Sequence, residues 1–112
     1  MKIKVPFRKG IFLREREIEF IFKIATLEDA CEQLKIDFHE MSDVDGYDFG
    51  LAVLYNAYLQ GCKTRFKKPK YGFHHAVAWN EMMSKESRDK VAECMRELMG
   101  SLKKGEKVEK KK

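Results

Sequence analysis

Apolar and polar residues alternate near the N-terminus of this chain, and helical spacing replaces that alternation from residue 27 onward. In the segment 17–24 every second residue is large and apolar, and three of the four residues between them are charged. The apolar positions are Ile18, Phe20, Phe22 and Ile24. Such alternation predicts a strand that buries one face only. We therefore expect a small sheet that packs its apolar face against the helices that follow.

The first residues predict another strand of the same sheet. Its apolar positions alternate with polar ones and are Ile3, Val5 and Phe7. Because Pro6 cannot donate to a ladder, this strand is expected at an edge or to end there. Residues 9–10 offer a turn, a further strand begins at 11–13, and a second turn at 14–16 would precede the strand at 17–24. The sequence leaves open whether the sheet has two strands or three.

Two helices are predicted in the first half of the chain. Thr26, with Asp29 three residues on, forms a weak capping box before apolar residues at helical spacing. Those residues are Leu27, Ala30, Cys31 and Leu34. A polar cluster at 42–46 then marks a loop, and residues 47–60 form a second helix that is apolar around nearly its whole circumference. We expect this helix to be the central one.

The second helix has one narrow polar stripe and two glycines with expected roles. The stripe follows four-residue steps and consists of Asp48, Ala52, Asn56 and Gln60. Gly50 costs about 1 kcal/mol relative to alanine inside a helix, which suggests close approach of another backbone. Gly61 is well placed to end the helix.

Two further helices complete the predicted fold. A short third helix has one apolar face, formed by Phe73, Ala76, Trp79 and Met83. Ser84 is expected to cap a fourth helix, with Glu86 in its first turn opposing the helix dipole. The inner side of that helix carries Val91, Met95, Leu98 and Leu102. The order predicts an α+β fold in which an N-terminal β-hairpin or small antiparallel sheet packs on about four helices.

Composition and charge fit one compact domain with a basic tail. The chain has 112 residues, 44% of them hydrophobic, enough to bury one core without staples. The net charge of +5 falls to +1 without Lys103–Lys112, which carries six lysines and two glutamates. We predict a domain over 1–102 and a disordered, solvated tail over 103–112. Three widely spaced cysteines and no apolar run long enough for a membrane span favour a reduced, cytoplasmic protein.

Several candidate chemical groups fail on spacing. His74 and His75 are adjacent, about 100° apart on a helix, and have no further ligand at metal-binding distance in sequence. Asp43, Asp45 and Asp48 lack the twelve-residue spacing of a calcium loop and its terminal glutamate. Cys31 and His39 lack an oxyanion hole and an orienting third group. We therefore predict no catalytic residue, metal or cofactor, and a protein that is not an enzyme.

A basic loop is the clearest functional signal in the residues themselves. The segment 63–71 interleaves cations with aromatic rings, and Phe73 follows it. The predicted partner-binding residues are Lys63, Arg65, Phe66, Lys67, Lys68, Tyr71 and Phe73, with Lys70 adding a further charge. The loop has three interpretations: a solvated segment whose lysines prevent self-association, a nucleic-acid contact with stacking rings, or a docking surface for an acidic or amphipathic protein segment.

The order of elements resembles a known family. The run from Phe12 to Asp37, the helix Asp48 to Gly61 and the helix from Ser84 together resemble the small tail assembly chaperones of long-tailed bacteriophages and prophages, over residues 11–102. The segment 1–10 and the strongly basic loop depart from the usual family pattern.

The resemblance implies a function in virion assembly. Such a chaperone binds the tape-measure protein, keeps its helices soluble while tail-tube subunits assemble, and works in the bacterial host cytoplasm, with self-association possible. Met82, Met83, Met95 and Met99 would suit an adaptable surface, although core filling is the favoured interpretation. The alternatives are a small nucleic-acid-binding module that uses the loop 63–71, and an antitoxin-like or regulatory partner protein.

Overall fold

The fold is an antiparallel hairpin followed by helices, as the sequence predicts. A computed structural model describes residues 2–9, 12–37 and 46–110, with side chains up to residue 100 except at positions 8, 9 and 13. Its elements are β1 (Lys2–Lys9), β2 (Phe12–Glu19), α1 (Ile24–Leu34), α2 (Gly46–Thr64), α3 (Phe73–Met82) and α4 (Lys85–Lys110). The α+β fold class is therefore confirmed.

The sheet of the described residues has two strands, and the strand predicted over 17–24 is wrong in its limits. β1 pairs with β2 in one register, from Lys2 opposite Glu19 to Lys9 opposite Phe12. Beyond Glu19 the chain leaves the sheet, because the Ile21 N–H donates to the Ala57 carbonyl of α2 at 3.0 Å. The backbone N–H of Ile21 is therefore hydrogen-bonded to a helix and not to a third strand.

The apolar face predicted for that segment survives in part, although the strand does not. Phe20 is fully buried and Phe22 is partly buried against the same cluster, whereas Ile24 begins α1 and is exposed. Thr26 is the third residue of that helix and not its cap. Its Oγ1 accepts a hydrogen bond from the Lys23 N–H at 3.2 Å and donates to the Ile21 carbonyl at 2.7 Å. Thr26 thus fixes the entry of the chain into α1.

Helix α2 lies between two apolar clusters, which makes it central as predicted. The first cluster joins the hairpin, α2 and α3, and is formed by Ile3, Val5, Phe20, Leu54, Ala57, Tyr58, Ala76, Trp79 and Met83. The second joins α1, α2 and α4, and is formed by Leu27, Ala30, Ala52, Val53 and Leu98. One part of the α2 surface therefore packs against the hairpin and α3, and another part packs against α1 and α4.

The single tryptophan of the chain is the centre of the first cluster. Trp79 is 1% exposed, and four rings surround it at centroid distances of 5.6 to 6.0 Å, three of them at nearly perpendicular angles. These rings are Phe7, Phe20, Tyr58 and Tyr71. Edge-to-face packing of this kind adds to the hydrophobic gain of burial. Trp79 fluorescence will therefore report on the integrity of the core.

Two of the three glycines of α2, Gly50 and Gly61, do not have the roles predicted for them. A Cβ built on Gly50 would have no neighbour within 4 Å outside its own helix, so no other element of the described residues approaches it. A Cβ on Gly61 would lie 2.6 Å from the carbonyl oxygen of Glu19. The helix continues past Gly61 to Thr64. Gly61 is therefore the site of close approach between α2 and β2, and not a helix stop.

The polar stripe of α2 is exposed at Asp48 and buried from Ala52 to Gln60, where it faces α1. Asn56 and Gln60 are 5% and 6% exposed. The Asn56 Nδ2 donates to Gln33 Oε1 and to the Ala52 carbonyl, both at 2.8 Å. The Gln60 Nε2 donates to Asp29 Oδ2 at 2.6 Å. The stripe thus aligns α1 on α2 through hydrogen bonds between side chains.

Helix α4 begins with the predicted cap and covers one edge of the sheet. The Ser84 Oγ accepts from the Ser87 N–H at 3.2 Å, which confirms the cap. The buried Ser87 hydroxyl donates to the Lys4 carbonyl of β1 at 2.9 Å. An exposed strand edge is a template for aggregation, so this contact also protects the hairpin.

The methionines and cysteines mostly serve the core. Met83 is buried, while Met95 and Met99 pack against the second cluster; Met82 is 38% exposed. All three cysteines are free thiols. Burial, with a smaller contribution from nearby glutamates, raises the pKa of Cys31 and of Cys94.

Two predictions concern parts of the chain that the structure does not describe. The loop at 42–45, with Asp43 and Asp45, lies outside the described residues, and so does His39. The backbone of α4 continues through Lys110, whereas the solvation predicted for the tail over 103–112 stays a prediction, because its side chains lie outside the described part as well.

Candidate functional site

The basic loop begins at a helix C-terminus of unusual composition. The Phe66 N–H donates to the Lys63 carbonyl at 3.1 Å, and the Lys67 N–H donates to the Cys62 carbonyl at 2.9 Å. This pair of bonds is the Schellman motif, which requires a left-handed residue after the helix. Here that residue is Phe66, with φ of 55°. Glycine is the usual occupant, because a side chain in this conformation costs about 1 kcal/mol or more.

The C-terminal end of the loop, at Lys70 and Tyr71, is bound to the core. The Tyr58 hydroxyl accepts hydrogen bonds from the Lys70 N–H at 2.8 Å and from the Tyr71 N–H at 3.2 Å. Burial raises the pKa of Tyr58, so the hydroxyl stays protonated. The Tyr71 ring packs 5.0 Å from Phe7 and 5.6 Å from Trp79. The loop is therefore fixed at both ends by contacts with the body of the protein.

Four of the predicted site residues are engaged within the fold. Lys63 Nζ lies 3.7 Å from Asp29 Oδ2, and Arg65 Nη2 lies 3.8 Å from Glu19 Oε2. Tyr71 belongs to the aromatic cluster, and the Phe73 ring makes an edge contact with Tyr55. These residues shape and anchor the loop, and the pairing of two of the cations is not apparent from the sequence.

The remaining predicted residues are exposed to solvent. Phe66 is 97% exposed, and Lys67, Lys68 and Lys70 are exposed as well. None of the ion pairs between described residues includes any of these three lysines. The predicted site residues thus form two groups. One group anchors the loop to the fold, and the other exposes three lysines and one aromatic ring to solvent.

A groove of about 260 Å³ lies between the loop, the C-terminal turn of α2 and β2. Lys67, Lys68 and Lys70 line it from the loop, and Arg16 lines it from β2. The Arg16 guanidinium carbon lies 5.7 Å from the centre of the Phe7 ring, within reach of a cation–π interaction. Sequence analysis missed Arg16, because only the register of the hairpin brings it beside a loop about 50 residues later.

A second groove, apolar in character, opens between α2, α3 and α4. Its volume is about 240 Å³. Its lining is mostly apolar and includes Tyr47, Leu51, Leu54, Met83, Val91, Ala92 and Met95. At one end the Arg88 guanidinium donates to the carbonyls of Asn80 and Glu81, both at 2.8 Å. These hydrogen bonds cap two carbonyl groups at the C-terminal end of α3. The sequence analysis did not identify this groove, although small residues such as Gly50 and Ala92 make room for it.

The two adjacent histidines serve the start of α3. The Gly72 N–H donates to His75 Nδ1 at 3.2 Å, so the neutral imidazole accepts a hydrogen bond at the helix N-terminus. The His74 ring lies 4.1 Å from the His75 ring. Burial, and to a smaller extent the nearby His74 charge, lowers the pKa of His75 below its ordinary value of 6.5.

We expect the protein to lose stability on mild acidification because of His75. The unfolded chain takes up the proton at a higher pH than the folded chain, so the free energy of unfolding falls as the pH decreases through about 6.5 and below. Urea titrations followed by Trp79 fluorescence between about pH 7.5 and pH 5 would measure this slope. His75→Gln keeps an acceptor at the third helical position and should flatten the slope. An unchanged slope in that variant would assign the effect to other groups.

Comparisons with known proteins give no match. No family model matches the chain, no curated protein matches it, and no solved structure matches it. Within the described residues, no three histidine, cysteine or acidic side chains come together as a candidate metal site. None of the helices in the described part of the chain is long and apolar enough to cross a membrane.

Proposed function

We propose that this chain is a non-enzymatic assembly chaperone of a long-tailed phage or prophage. It binds the tape-measure protein and keeps the apolar faces of that protein's helices covered while tail-tube subunits assemble. The observation that carries the proposal is the apolar groove between α2, α3 and α4. The order of hairpin and helices, which resembles the tail assembly chaperones, supports it.

The groove suits the side chains of an amphipathic helix. Such a helix presents apolar residues at intervals of three and four, and a narrow apolar groove receives them one after another. Met83 and Met95 line the groove and have flexible, polarizable side chains that adapt to different partners. A groove of this size buries little area, so each contact is weak and reversible, as a chaperone requires. The protein acts in this way in the cytoplasm of the bacterial host.

A pull-down of the tape-measure protein with this chain tests the proposal. Because the contact is apolar, retention should persist at about 1 M salt, where exposed charges are screened within about 3 Å. Ala92→Gln places a longer polar side chain in the groove from an exposed position of α4 and should lower retention about tenfold. Glu93→Gln introduces the same side chain one residue further on, outside the groove lining, and should leave retention unchanged.

Two outcomes would contradict the chaperone function. Failure to retain the tape-measure protein at any salt concentration would show that this protein is not its partner. Equal retention by both variants would show that the groove does not carry the contact. Trp79 fluorescence confirms that each variant is folded before it is compared, since the tryptophan lies in the first cluster.

A further inference from the structure

We infer that the loop 65–71 and the adjoining face of β2 form a second site, which binds single-stranded nucleic acid. Phosphates occupy the basic groove, and one base stacks on Phe66. This function goes beyond the chaperone activity and uses a different surface, because the basic groove and the apolar groove share no lining residue.

The charge of the groove fits a phosphate backbone. Four cationic side chains line it in addition to Arg65, which is paired with Glu19: Arg16, Lys67, Lys68 and Lys70. The carboxylates in the lining are Glu17 and Glu19, so cations are in excess. Cations grouped along a groove attract phosphates and release the counterions condensed on them. The groove therefore has the electrostatic character of a channel for a polyanion.

Phe66 supplies the second half of the site. Its ring is 97% exposed, so both faces are accessible. The backbone holds it at a φ of 55°, where glycine would be less strained. A fully exposed phenylalanine in a strained position contributes nothing to the core, and strain of this kind accumulates at binding sites. Aromatic rings beside a cationic groove are the stacking platforms of proteins that bind single strands.

The arrangement favours a single strand over a duplex or an acidic protein segment. A ring can stack only on a base that is already unpaired, and a duplex offers none along its length. An acidic protein segment would need an apolar recess for its anchoring side chains. The recess here contains Ile18, Tyr58, Cys62 and Tyr71, but five cationic side chains share its lining. The only exposed large apolar side chain of the loop, Phe66, protrudes as a flat stacking surface and is not part of that recess.

Fluorescence anisotropy with a labelled oligonucleotide of about 12 nucleotides, as DNA and as RNA, tests the site. With about four phosphates neutralised, the slope of log K against log salt should be near −3, so affinity should fall about 50-fold between about 50 mM and about 200 mM salt. Lys67→Gln combined with Lys68→Gln should halve the slope. Lys85→Gln combined with Lys90→Gln makes the same charge change on α4 and should leave the slope intact.

Phe66→Gly separates binding from folding. Loss of one stacked base should weaken affinity by about tenfold or more with little change in salt slope. The same change removes the left-handed strain and should raise the Tm by about 4 °C. Lys35→Gly is the matched control, since Lys35 has a φ of 58° and takes the same position after α1. It should raise the Tm in the same way and leave affinity within about twofold.

Three results would overturn the inference. One is the absence of binding at about 50 mM salt. Another is equal affinity for poly-glutamate and for the oligonucleotide, with no effect of Phe66→Gly on the affinity for poly-glutamate. That result would indicate that the loop binds acidic protein segments. The third is equal affinity for a duplex of the same sequence, which would remove the role of base stacking.

Discussion

Gly61→Ala should lower the free energy of unfolding by about 2 kcal/mol. A Cβ at this position would lie 2.6 Å from the Glu19 carbonyl oxygen, a separation that real Cβ atoms essentially never show. The obstacle is backbone, so relief requires a shift of β2 against α2. Overpacking of this kind typically costs 1 to 3 kcal/mol, and the better helix propensity of alanine offsets only part of it. Urea unfolding followed by Trp79 fluorescence would measure the loss.

Gly50→Ala is the control, because it makes the same change in the same helix. With nothing within 4 Å of the new Cβ, we expect stability to rise by about 0.5 to 1 kcal/mol. The two variants should therefore move the urea midpoint in opposite directions. A loss of stability in both would indicate that helix α2 tolerates no side chain at either position for a reason other than the contact with Glu19.

The contact at Gly61 also shapes the basic groove. Gly61 and Glu19 both line that groove, and Glu19 pairs with Arg65 at 3.8 Å. Any shift of β2 away from α2 would therefore move Arg16 relative to the lysines of the loop. The site depends on a close approach that only glycine allows. Stability and the geometry of the groove are linked at this point of the fold.

Patterning predicted the type and order of the elements well, and tertiary contacts explain where it failed. The alternation at Phe20 and Phe22 correctly identified inward-facing side chains, but period two cannot show that Ile21 pairs with a helix instead of a strand. The close approach predicted at Gly50 occurs at Gly61 instead, because a glycine in a sequence does not reveal which neighbour approaches it. Such contacts join residues that are distant along the chain.

The candidate site was predictable to a similar degree. The cations and rings of the loop are visible in the sequence, and Phe66 and the lysines after it are exposed. The sequence does not show which of these residues anchor the loop and which are exposed to solvent. Lys63 and Arg65 are paired with carboxylates from α1 and β2, which become neighbours only in the fold. The left-handed conformation of Phe66 was equally hidden, since glycine is the expected residue there.

Asn56→Asp should be more damaging than Gly61→Ala, with a loss of about 3 kcal/mol at neutral pH. Asn56 is 5% exposed, and its Nδ2 donates to the Ala52 carbonyl and to Gln33 Oε1. A carboxylate has no proton to donate, so its oxygen would face the Ala52 carbonyl without compensation. Gln33 can rotate its amide to donate, but the backbone carbonyl cannot reverse. The deficit is the cost of burying a charge among acceptors.

The pH dependence of this variant distinguishes a buried charge from a mere change of shape. Burial raises the pKa of the introduced carboxyl above the value of about 3.9 that it has in the unfolded chain. The deficit relative to the parent protein should therefore be small at about pH 4 and grow as the pH rises toward 7. Asn56→Leu removes the hydrogen bonds without adding charge and should stay within about 1.5 kcal/mol of the parent at every pH. A deficit of Asn56→Asp that does not change with pH would contradict the explanation by charge, and an equal loss in Asn56→Leu would instead assign the effect to the alignment of α1 on α2.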